Sequence, residues 1–269
     1  MTLRSKSRSA TSWRPVEGRA LVGGGLYLRV DDLDSLGLLA SHVYEPYETS
    51  LLMSLVTPGS TVVDIGANIG YHSVQFARAT GPNGRVYSFE PDPDNLRLLR
   101  HNIRTNRLAN VVVVPKAASD VTGTLTLYRS SENRGDHRVY DSGDGRTAMS
   151  IDAVAPDDVL GAVTGPVSVI KLDIQGAESR AIAGMARFLE AHPEAWVATE
   201  LWPIGLARSG SSVELYLSQL RALGRAILRI DERRRRLTLL DADWLATHVT
   251  VEQANHVNLL LPRRDWVTR

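Results

Sequence analysis

The chain has 269 residues, of which 43% are hydrophobic and 23% are charged, and its formal net charge at pH 7 is +1. This length and composition suit one globular α/β domain with a sizeable core. The near-neutral charge excludes a strong overall attraction to nucleic acids or anionic membranes. The absence of cysteine excludes a disulfide framework, a cysteine-based zinc site and a cysteine nucleophile.

The beginning of the chain is basic, with Arg4, Lys6, Arg8 and Arg14, and no apolar segment follows it. No apolar run reaches the roughly 20 residues that a membrane-spanning helix needs. We therefore predict a mobile basic tail at residues 1–15, no signal peptide, no membrane contact and a cytoplasmic location. A nucleic-acid-binding arm is the alternative interpretation of this tail.

Two parts are predicted after the tail. Residues 16–47 contain three consecutive glycines and then an apolar run, which predicts an N-terminal hairpin or cap. Residues 48–269 alternate between strand and helix patterns, which predicts a mostly parallel sheet with helices on both faces. The predicted strands lie at 61–67, 85–91, 111–118, 167–174 and 195–202, and the predicted helices at 71–80, 92–107, 177–191 and 212–223. The apolar run at 257–262 predicts an additional antiparallel strand at the sheet edge.

Residues 119–150 break this alternation. A short strand pattern at 124–129 is followed by a stretch rich in Gly, Asp, Arg and Ser at 130–146. Such a long polar excursion inside a compact domain is usually functional or disordered. We predict it to be an insertion on the substrate side. The arginines at 233–236 are interpreted as a solvated turn between edge strands.

Residues 62–72 read Val-Val-Asp-Ile-Gly-Ala-Asn-Ile-Gly-Tyr-His and carry the most information about function. A buried strand ends there in Asp64, and a glycine-containing turn leads into a helix. Gly66 and Gly70 permit positive φ angles and a close approach of main chain to a ligand. The helix that follows offers free N–H groups and the positive end of its dipole. The stretch therefore predicts a nucleotide-like cofactor.

Glu90 ends the next predicted strand, where an acidic side chain accepts hydrogen bonds from ribose hydroxyls. A dinucleotide site has the spacing G-x-G-x-x-G, with a pyrophosphate at the helix N-terminus. This chain has G-x-x-x-G preceded by Asp64, and an acid there would repel a pyrophosphate. A ligand with an amino group and a sulfonium fits better, which favours S-adenosylmethionine over a dinucleotide. The alternative for Glu90 is a cap of the helix after Pro91.

The chain resembles the FkbM-type family of S-adenosylmethionine-dependent methyltransferases over about residues 40–262. The matching segments are Tyr44-Glu45-Pro46, residues 63–71, Phe89-Glu90-Pro91 with Asn102, residues 116–120, and Ile170-Lys171-Leu172-Asp173-Ile174-Gln175-Gly176-Ala177-Glu178 with Glu200. The resemblance implies a Rossmann-like class I fold with seven strands, one of them antiparallel near the sheet edge. It also implies mostly O-methylation of natural products, sugars or glycans. One departure is Gln175, where the family usually has Glu.

The motif and the resemblance together predict the cofactor-binding residues. They are Glu45, Asp64, Gly66, Ala67, Asn68, Gly70, Tyr71, His72, Glu90, Pro91, Asn95, Ala117, Ala118 and Asp173. For His72, packing in the core is the alternative.

Asp173, Lys171 and His137 are the candidate catalytic residues. Methyl transfer to a hydroxyl requires alignment of the acceptor and removal of its proton. Asp173 and Glu200 end neighbouring strands and should both face the cleft. Lys171 should point to the same face of its strand as Asp173 and pair with it. His137 lies in the polar excursion, where a histidine is a candidate general base or simply a solvated loop residue.

The predicted function is S-adenosylmethionine-dependent O-methylation of a sugar or a small secondary metabolite, so the expected partner is a small-molecule or glycosyl hydroxyl acceptor. N- or carboxyl-methylation on the same fold, a non-catalytic S-adenosylmethionine-binding protein and a nucleic-acid methyltransferase stay open as alternatives. The sequence also leaves open a homodimer and a Mg²⁺ ion held by Asp173 and Glu200.

Overall fold

The computed structural model describes residues 18–249 and 256–266, so the predicted basic tail lies outside the described residues. The strands of the described part, in chain order, are β1 (Arg19–Val22), β2 (Leu26–Arg29), β3 (Thr61–Ile65), β4 (Arg85–Phe89), β5 (Val111–Val114), β6 (Ala117–Ala118), β7 (Gly123–Arg129), β8 (Thr147–Val154), β9 (Val167–Leu172), β10 (Trp196–Leu201), β11 (Leu228–Asp231), β12 (Arg236–Leu239) and β13 (Val257–Leu261).

The helices of the described part are α1 (Leu38–Ser41), α2 (Pro46–Leu55), α3 (Tyr71–Thr80), α4 (Pro93–Thr105), α5 (Pro156–Leu160), α6 (Glu178–Gly184), α7 (Ala186–Ala191), α8 (Pro203–Arg208), α9 (Val213–Ala222) and α10 (Ala242–His248). Local sequence sets several of their starts. Pro46 and Pro93 occupy first-turn positions, where the missing N–H costs nothing. Asp92 caps α4 by accepting hydrogen bonds from the main-chain N–H groups of Asp94 and Asn95, both at 3.0 Å.

The central sheet has the strand order β12-β11-β13-β10-β9-β3-β4-β5. Its middle strands are parallel, while β13 runs antiparallel to both β10 and β11, and β12 runs antiparallel to β11. The prediction of an α/β fold with a mostly parallel sheet is confirmed. The described sheet has eight strands rather than seven, and two of them run against the others. In addition, β1 pairs with β2 in a separate hairpin, and a small sheet has the order β6-β8-β7.

The position of β13 differs from the prediction of an edge strand. It lies inside the sheet, between β10 and β11. Leu259, Leu260 and Leu261 are fully buried, so both faces of this strand are covered. A strand that is apolar on both faces gains more from an interior position than from an edge. The edge is formed instead by β12, whose side chains are partly exposed.

Two predicted elements are divided in the structure. The predicted strand at 111–118 is split into β5 and β6 by Pro115, which has no N–H to offer a strand partner. The predicted helix at 177–191 is split into α6 and α7 at Met185. Next to this break, Gly184 approaches the Ser119 carbonyl so closely that a Cβ would overlap it. Tertiary packing at Gly184 thus accompanies the break.

The remaining differences are elements that the sequence pattern did not predict. They are α1, β8, α5, α8 and α10. Of the arginines at 233–236, the first three lie in the turn between β11 and β12 and Arg236 begins β12, so the interpretation as a turn between strands fits the structure. Within the described residues, none of the helices is long and apolar enough to cross a membrane.

Candidate active site

A cavity of about 370 Å³ opens at the carboxyl ends of β3, β4, β9 and β10. The strand order reverses between β3 and β9, because β4 and β5 extend the sheet on one side and β10 extends it on the other. Ligands of open α/β sheets bind at such a point. Most of the predicted site residues line this cavity, namely Gly66, Ala67, Asn68, Tyr71, His72, Glu90, Pro91, Asn95, Ala117, Ala118, His137, Lys171 and Asp173.

The turn after β3 packs its main chain directly against the end of β9. Gly66 has a φ of +86°, and an added Cβ would overlap the Asp173 carbonyl oxygen. Gly70 precedes α3 with a φ of +92°, and Asn68 has a φ of +50°. Glycine adopts such angles freely, and asparagine does so more readily than most residues. The local sequence therefore accounts for a turn that brings main chain to the cavity wall.

Glu90 is fixed by the main chain on both of its carboxylate oxygens. Oε2 accepts the N–H of Asn68 at 2.9 Å, and Oε1 accepts the N–H of Asp92 at 2.8 Å. Burial raises the pKa of Glu90 to about 7. Nearby, the Oδ1 atoms of Asn68 and Asn95 are buried without a hydrogen-bond partner among the described residues. This wall therefore has acceptors left over for the hydroxyl and amino groups of a ligand.

The buried Lys171 and Asp173, whose side chain is 29% exposed, form an ion pair at the end of β9. The Lys171 Nζ lies 3.0 Å from Asp173 Oδ2, and Gln175 Nε2 donates to Asp173 Oδ1 at 3.1 Å. Burial acts to raise the pKa of Asp173, but Lys171 and then Gln175 lower it below its usual range. Burial likewise acts against the charge of Lys171, but Asp173, Asp64 and Glu48 raise its pKa. Both groups are therefore charged at neutral pH.

Three predicted cofactor-binding residues do not line the cavity: Glu45, Asp64 and Gly70. Asp64 is 1% exposed and accepts a hydrogen bond from Ser73 Oγ at 2.6 Å. It lies opposite Lys171 on the neighbouring strand, behind the cavity wall. From the sequence, Asp64 was expected to face a cationic group of the ligand. In the structure Asp64 lies beside Lys171, and burial raises the pKa of Asp64 although Lys171 acts to lower it.

Glu45 belongs to a second buried acidic group beside the cavity. It precedes α2, and its Oε1 accepts a hydrogen bond from Asn258 Nδ2 at 3.1 Å. The same amide also donates to Glu48. Burial and then Asp173 raise the pKa of Glu45, and burial and then Glu45 raise the pKa of Glu48 to about 8. Part of this acidic group is therefore protonated at neutral pH.

His72 lines the cavity but is mostly enclosed by its neighbours. Its Nε2 lies 3.3 Å from Thr49 Oγ1, and its ring packs between Tyr71 and Phe76. Burial lowers the pKa of His72 well below its usual range. The ring is therefore neutral and fixed at neutral pH.

His137 is fixed on the Glu90 side of the cavity. Its Nδ1 accepts the main-chain N–H of Ser130 at 3.1 Å, and its Nε2 lies 3.7 Å from Asp92 Oδ2. Burial lowers the pKa of His137 below its usual value. The ring contacts the residue that caps α4 rather than the Lys171–Asp173 pair. Nδ1 is occupied by the N–H of Ser130, whereas Nε2 is buried without a hydrogen-bond partner among the described residues.

Residues 130–139, here called the strap, cross the cavity. Arg134 contacts Asp32 at 3.0 Å and Asp94 at 3.3 Å, and its main-chain N–H donates to Ser35 Oγ at 2.9 Å. Near the other end, the Arg138 guanidinium lies 4.8 Å from the ring centre of Trp202. The strap belongs to the insertion that was predicted to lie on the substrate side. It connects the N-terminal segment and α4 to the residue after β10.

Several residues that line the cavity were not proposed as site residues from the sequence. They are Ser35, Leu36, Lys116, Trp202 and His256. Ser35 and His256 come from distant parts of the chain and had no local signal. Glu200 was expected to face the cleft, and it lines the cavity. Within 18–249 and 256–266, no three acidic or histidine side chains are grouped so that they could hold a metal ion.

Residues 64–221, more than half of the chain, match the family model described as the methyltransferase FkbM domain. The protein is a member of the FkbM methyltransferase family. The match confirms the predicted family and sets the chain among S-adenosylmethionine-dependent methyltransferases.

Shorter matches connect this FkbM protein to curated methyltransferases. Protein-L-isoaspartate O-methyltransferase of Methanococcoides burtonii is 34% identical over 71 residues, which is 26% of this chain and 35% of that protein. The probable cobalt-precorrin-6B C(15)-methyltransferase of Sulfolobus acidocaldarius is 33% identical over 67 residues, or 25% of this chain and 35% of that protein. The chain thus spans about a third of the length of these relatives.

Two solved structures are similar to the FkbM protein at low sequence identity. A putative rRNA methylase from Clostridium thermocellum has 13% identity and a TM-score of 0.48, covering 81% of this chain and 94% of that one. An S-adenosylmethionine-dependent O-methyltransferase from Thermotoga maritima has 16% identity and a TM-score of 0.46, covering 90% and 75%. Neither likeness indicates the acceptor of this protein.

The residues of the FkbM protein fit S-adenosylmethionine. Glu90 offers a fixed carboxylate for a diol, and the buried Oδ1 atoms of Asn68 and Asn95 lack partners that a nucleoside would supply. The Gly66 turn provides a wall without side chains. The other end of the cavity carries the ionised Asp173 and the carboxyl group of Glu200, which suit a sulfonium and an amino group.

Proposed function

We propose that this protein is an S-adenosylmethionine-dependent O-methyltransferase that acts on a hydroxyl of a sugar or a small secondary metabolite. The observation that carries the proposal is the composition of one cavity. A nucleoside-type wall around Glu90 and an acidic wall around Asp173 and Glu200 line the same space. When bound, S-adenosylmethionine supplies an activated methyl group. The chain's own residues orient the acceptor and remove its proton.

The acidic wall favours a hydroxyl over a carboxylate as the acceptor. The positive charge of Lys171 is already compensated by Asp173 at 3.0 Å. Glu200 and Glu45 add carboxyl groups around the same end. A carboxylate acceptor would meet the ionised Asp173 there, and it would oppose the ionisation of Glu200 and Glu45, which disfavours carboxyl methylation. An amine is the remaining alternative, because acids attract its protonated form.

The cofactor part of the proposal is tested by calorimetry with S-adenosylmethionine and S-adenosylhomocysteine. We expect both to bind, and we expect Glu90→Ala to weaken both by at least tenfold because the diol loses its acceptor. Glu214→Ala, on the exposed surface of α9, is the matched control and should bind normally. Absence of binding by a correctly folded wild-type protein would sink the proposed function.

The acceptor class is tested with three compounds that share one skeleton: methyl glucoside, glucosamine and glucuronic acid. Fragmentation of the methylated product by mass spectrometry assigns the new methyl group to oxygen, nitrogen or carboxylate. We expect methylation of a hydroxyl. A methyl group found on the amine or the carboxylate would replace this proposal by the corresponding alternative.

A further inference from the structure

O-methylation releases one proton per turnover, so the cavity needs a group that takes it. Glu200 at the end of β10 and His256 just before β13 both line the cavity, and His256 Nε2 lies 3.8 Å from Glu200 Oε1. We propose that Glu200 and His256 form the proton-accepting pair of this enzyme, with His256 as the exit to solvent. This inference rests on the proposed O-methyltransferase function.

The sheet register brings the two side chains together. Glu200 lies directly opposite Asn258 in the antiparallel pair of β10 and β13. His256 precedes Asn258 by two positions, so it continues the same face beyond the strand end. On β9, Lys171 lies opposite Ala198, which is two residues before Glu200. Glu200 and His256 are thus on the same face of the sheet as Lys171.

The other titratable groups at this end are poor proton acceptors. Asp173 is held in its ionised form by Lys171 and Gln175. A carboxylate stabilised in this way has little tendency to take a proton. His72 is enclosed and contacts Thr49, and its lowered pKa makes it a weak base. Asp64 lies behind the cavity wall.

Glu200 has a different environment. Glu200 is 9% exposed, and among the described side chains it forms an ion-pair contact only with His256. The other charged groups that face it are Asp173 and Lys171 from β9, Glu178 from α6 and Glu45 from the start of α2. Burial and then Asp173 raise the pKa of Glu200 well above its usual range. Of the two carboxyl groups that line this end of the cavity, Glu200 therefore takes up a proton more readily than Asp173.

His256 connects this buried carboxyl to the outside. Its side chain is 57% exposed, whereas that of Glu200 is 11% exposed. A proton taken inside the cavity can pass from Glu200 to the imidazole and then to water. An imidazole suits this step because one ring nitrogen can accept a proton while the other releases one.

In the proposed step, one bond forms, one bond breaks and one proton is released. The acceptor oxygen forms a bond to the methyl carbon, and the carbon–sulfur bond breaks with its electron pair going to sulfur. The hydroxyl proton moves to the Glu200–His256 pair and from there to water. The products are the methyl ether, neutral S-adenosylhomocysteine and one released proton.

The first experiment measures binding rather than turnover. Calorimetry with S-adenosylmethionine in buffers of different ionisation enthalpy gives the number of protons released on binding. We expect the wild-type protein to release more protons than Glu200→Gln, because the cationic ligand displaces a proton from Glu200. Affinity should change by less than about threefold, since the charge of the ligand is still met by Asp173. Equal proton release by both proteins would overturn the proposal.

The second experiment measures methyl transfer to whichever sugar of the test set is methylated. We expect kcat to fall by about 10²–10⁴ in Glu200→Gln and in His256→Ala, with KM little changed. The rates of both variants should rise with pH as the acceptor ionises by itself. Added imidazole should restore His256→Ala by about tenfold or more, because the lost side chain was solvent-accessible.

The control is His101→Ala, since His101 lies on α4 and does not line the cavity. It should keep normal kcat and show no response to imidazole. A His256→Ala variant with wild-type kcat, or with a loss that imidazole does not restore, contradicts the proposal. If the wild-type protein does not bind S-adenosylmethionine, the proposed function fails. If it binds and methylates while both variants stay active, only the proton-accepting pair fails.

Discussion

Gln175 donates a hydrogen bond from Nε2 to Asp173 Oδ1 at 3.1 Å, on the side of the carboxylate opposite to Lys171. Gln175 adopts a φ of +55°, a conformation that costs energy for a residue other than glycine. The amide thus supports the ionised form of Asp173. Gln175, which stands where the FkbM-type family usually has Glu, therefore has a structural role in holding Asp173.

Gln175→Glu is expected to destabilise the protein more at pH 8 than at pH 5. The new carboxylate would face Asp173 and compete with it for the charge of Lys171. At pH 8 both acids would be ionised, at a cost of about 1–3 kcal/mol. Urea unfolding at the two pH values measures the difference. Gln175→Gly is the control, because it removes the amide without adding a charge and relieves the backbone strain. Its effect on stability should be the same at pH 5 and pH 8.

Lys171→Met should reverse the pH dependence of stability at this site. The wild-type Asp173 has a lowered pKa, so its contribution is present above the unfolded pKa and is lost as the pH falls through the folded pKa. Without Lys171, burial dominates and keeps the Asp64 and Asp173 carboxyls protonated in the fold. The variant should therefore lose stability as the pH rises from 5 to 8.

The expected loss for Lys171→Met is about 3–5 kcal/mol near neutral pH, because removing one partner leaves buried charge uncompensated. Lys116→Met is the matched control, since Lys116 is partly exposed and forms no ion pair within the described residues. Chemical denaturation of both variants tests the prediction. A Lys171→Met protein that is as stable as Lys116→Met at pH 8 would show that the ion pair contributes little.

The affinity for S-adenosylmethionine should rise between pH 6 and pH 8 because of Glu90. Burial raises the pKa of Glu90 to about 7, so this side chain is partly protonated in the free protein near neutral pH. Because the pKa of Glu90 is raised, the contribution of its protonated form to the stability of the fold is lost as the pH rises. Binding of the ribose diol, in contrast, requires the ionised carboxylate. We expect about a tenfold gain in affinity across this range. Calorimetry on Glu90→Gln should give weaker binding with a flatter pH dependence.

Arg134→Ala should speed the release of S-adenosylhomocysteine by loosening the strap. Arg134 ties the strap to Asp32 at 3.0 Å and to Asp94 at 3.3 Å, across the cavity wall formed by Asn95. These ion pairs are partly exposed, so we expect release to be only a few-fold faster in the variant. Salt screens the pairs and should speed release from the wild-type protein, so the difference between the two proteins should shrink as the salt concentration rises. Stopped-flow displacement measures the rate. Arg187→Ala removes an exposed ion pair to Asp157, away from the cavity, and should leave the rate unchanged.

The sequence alone determined the half of the site that is local in the chain. The strand, the glycine turn and the following helix lie within residues 61–80, and Glu90 ends the next parallel strand. A β-α-β unit can place these groups in only a few ways, because strand order and handedness are restricted. For that reason residue types and spacing could predict that Gly66, Asn68 and Glu90 line one wall of the cavity.

Only the tertiary structure decided how the charged groups pair. Asp64 and Lys171 meet because β3 and β9 are neighbours in the sheet, and Glu45 meets Asn258 because α2 packs against the end of β13. His256 reaches Glu200 because β13 lies inside the sheet rather than at its edge. Residue spacing carries no information about such contacts, since they form when distant strands take their places and burial requires each charge to find a partner.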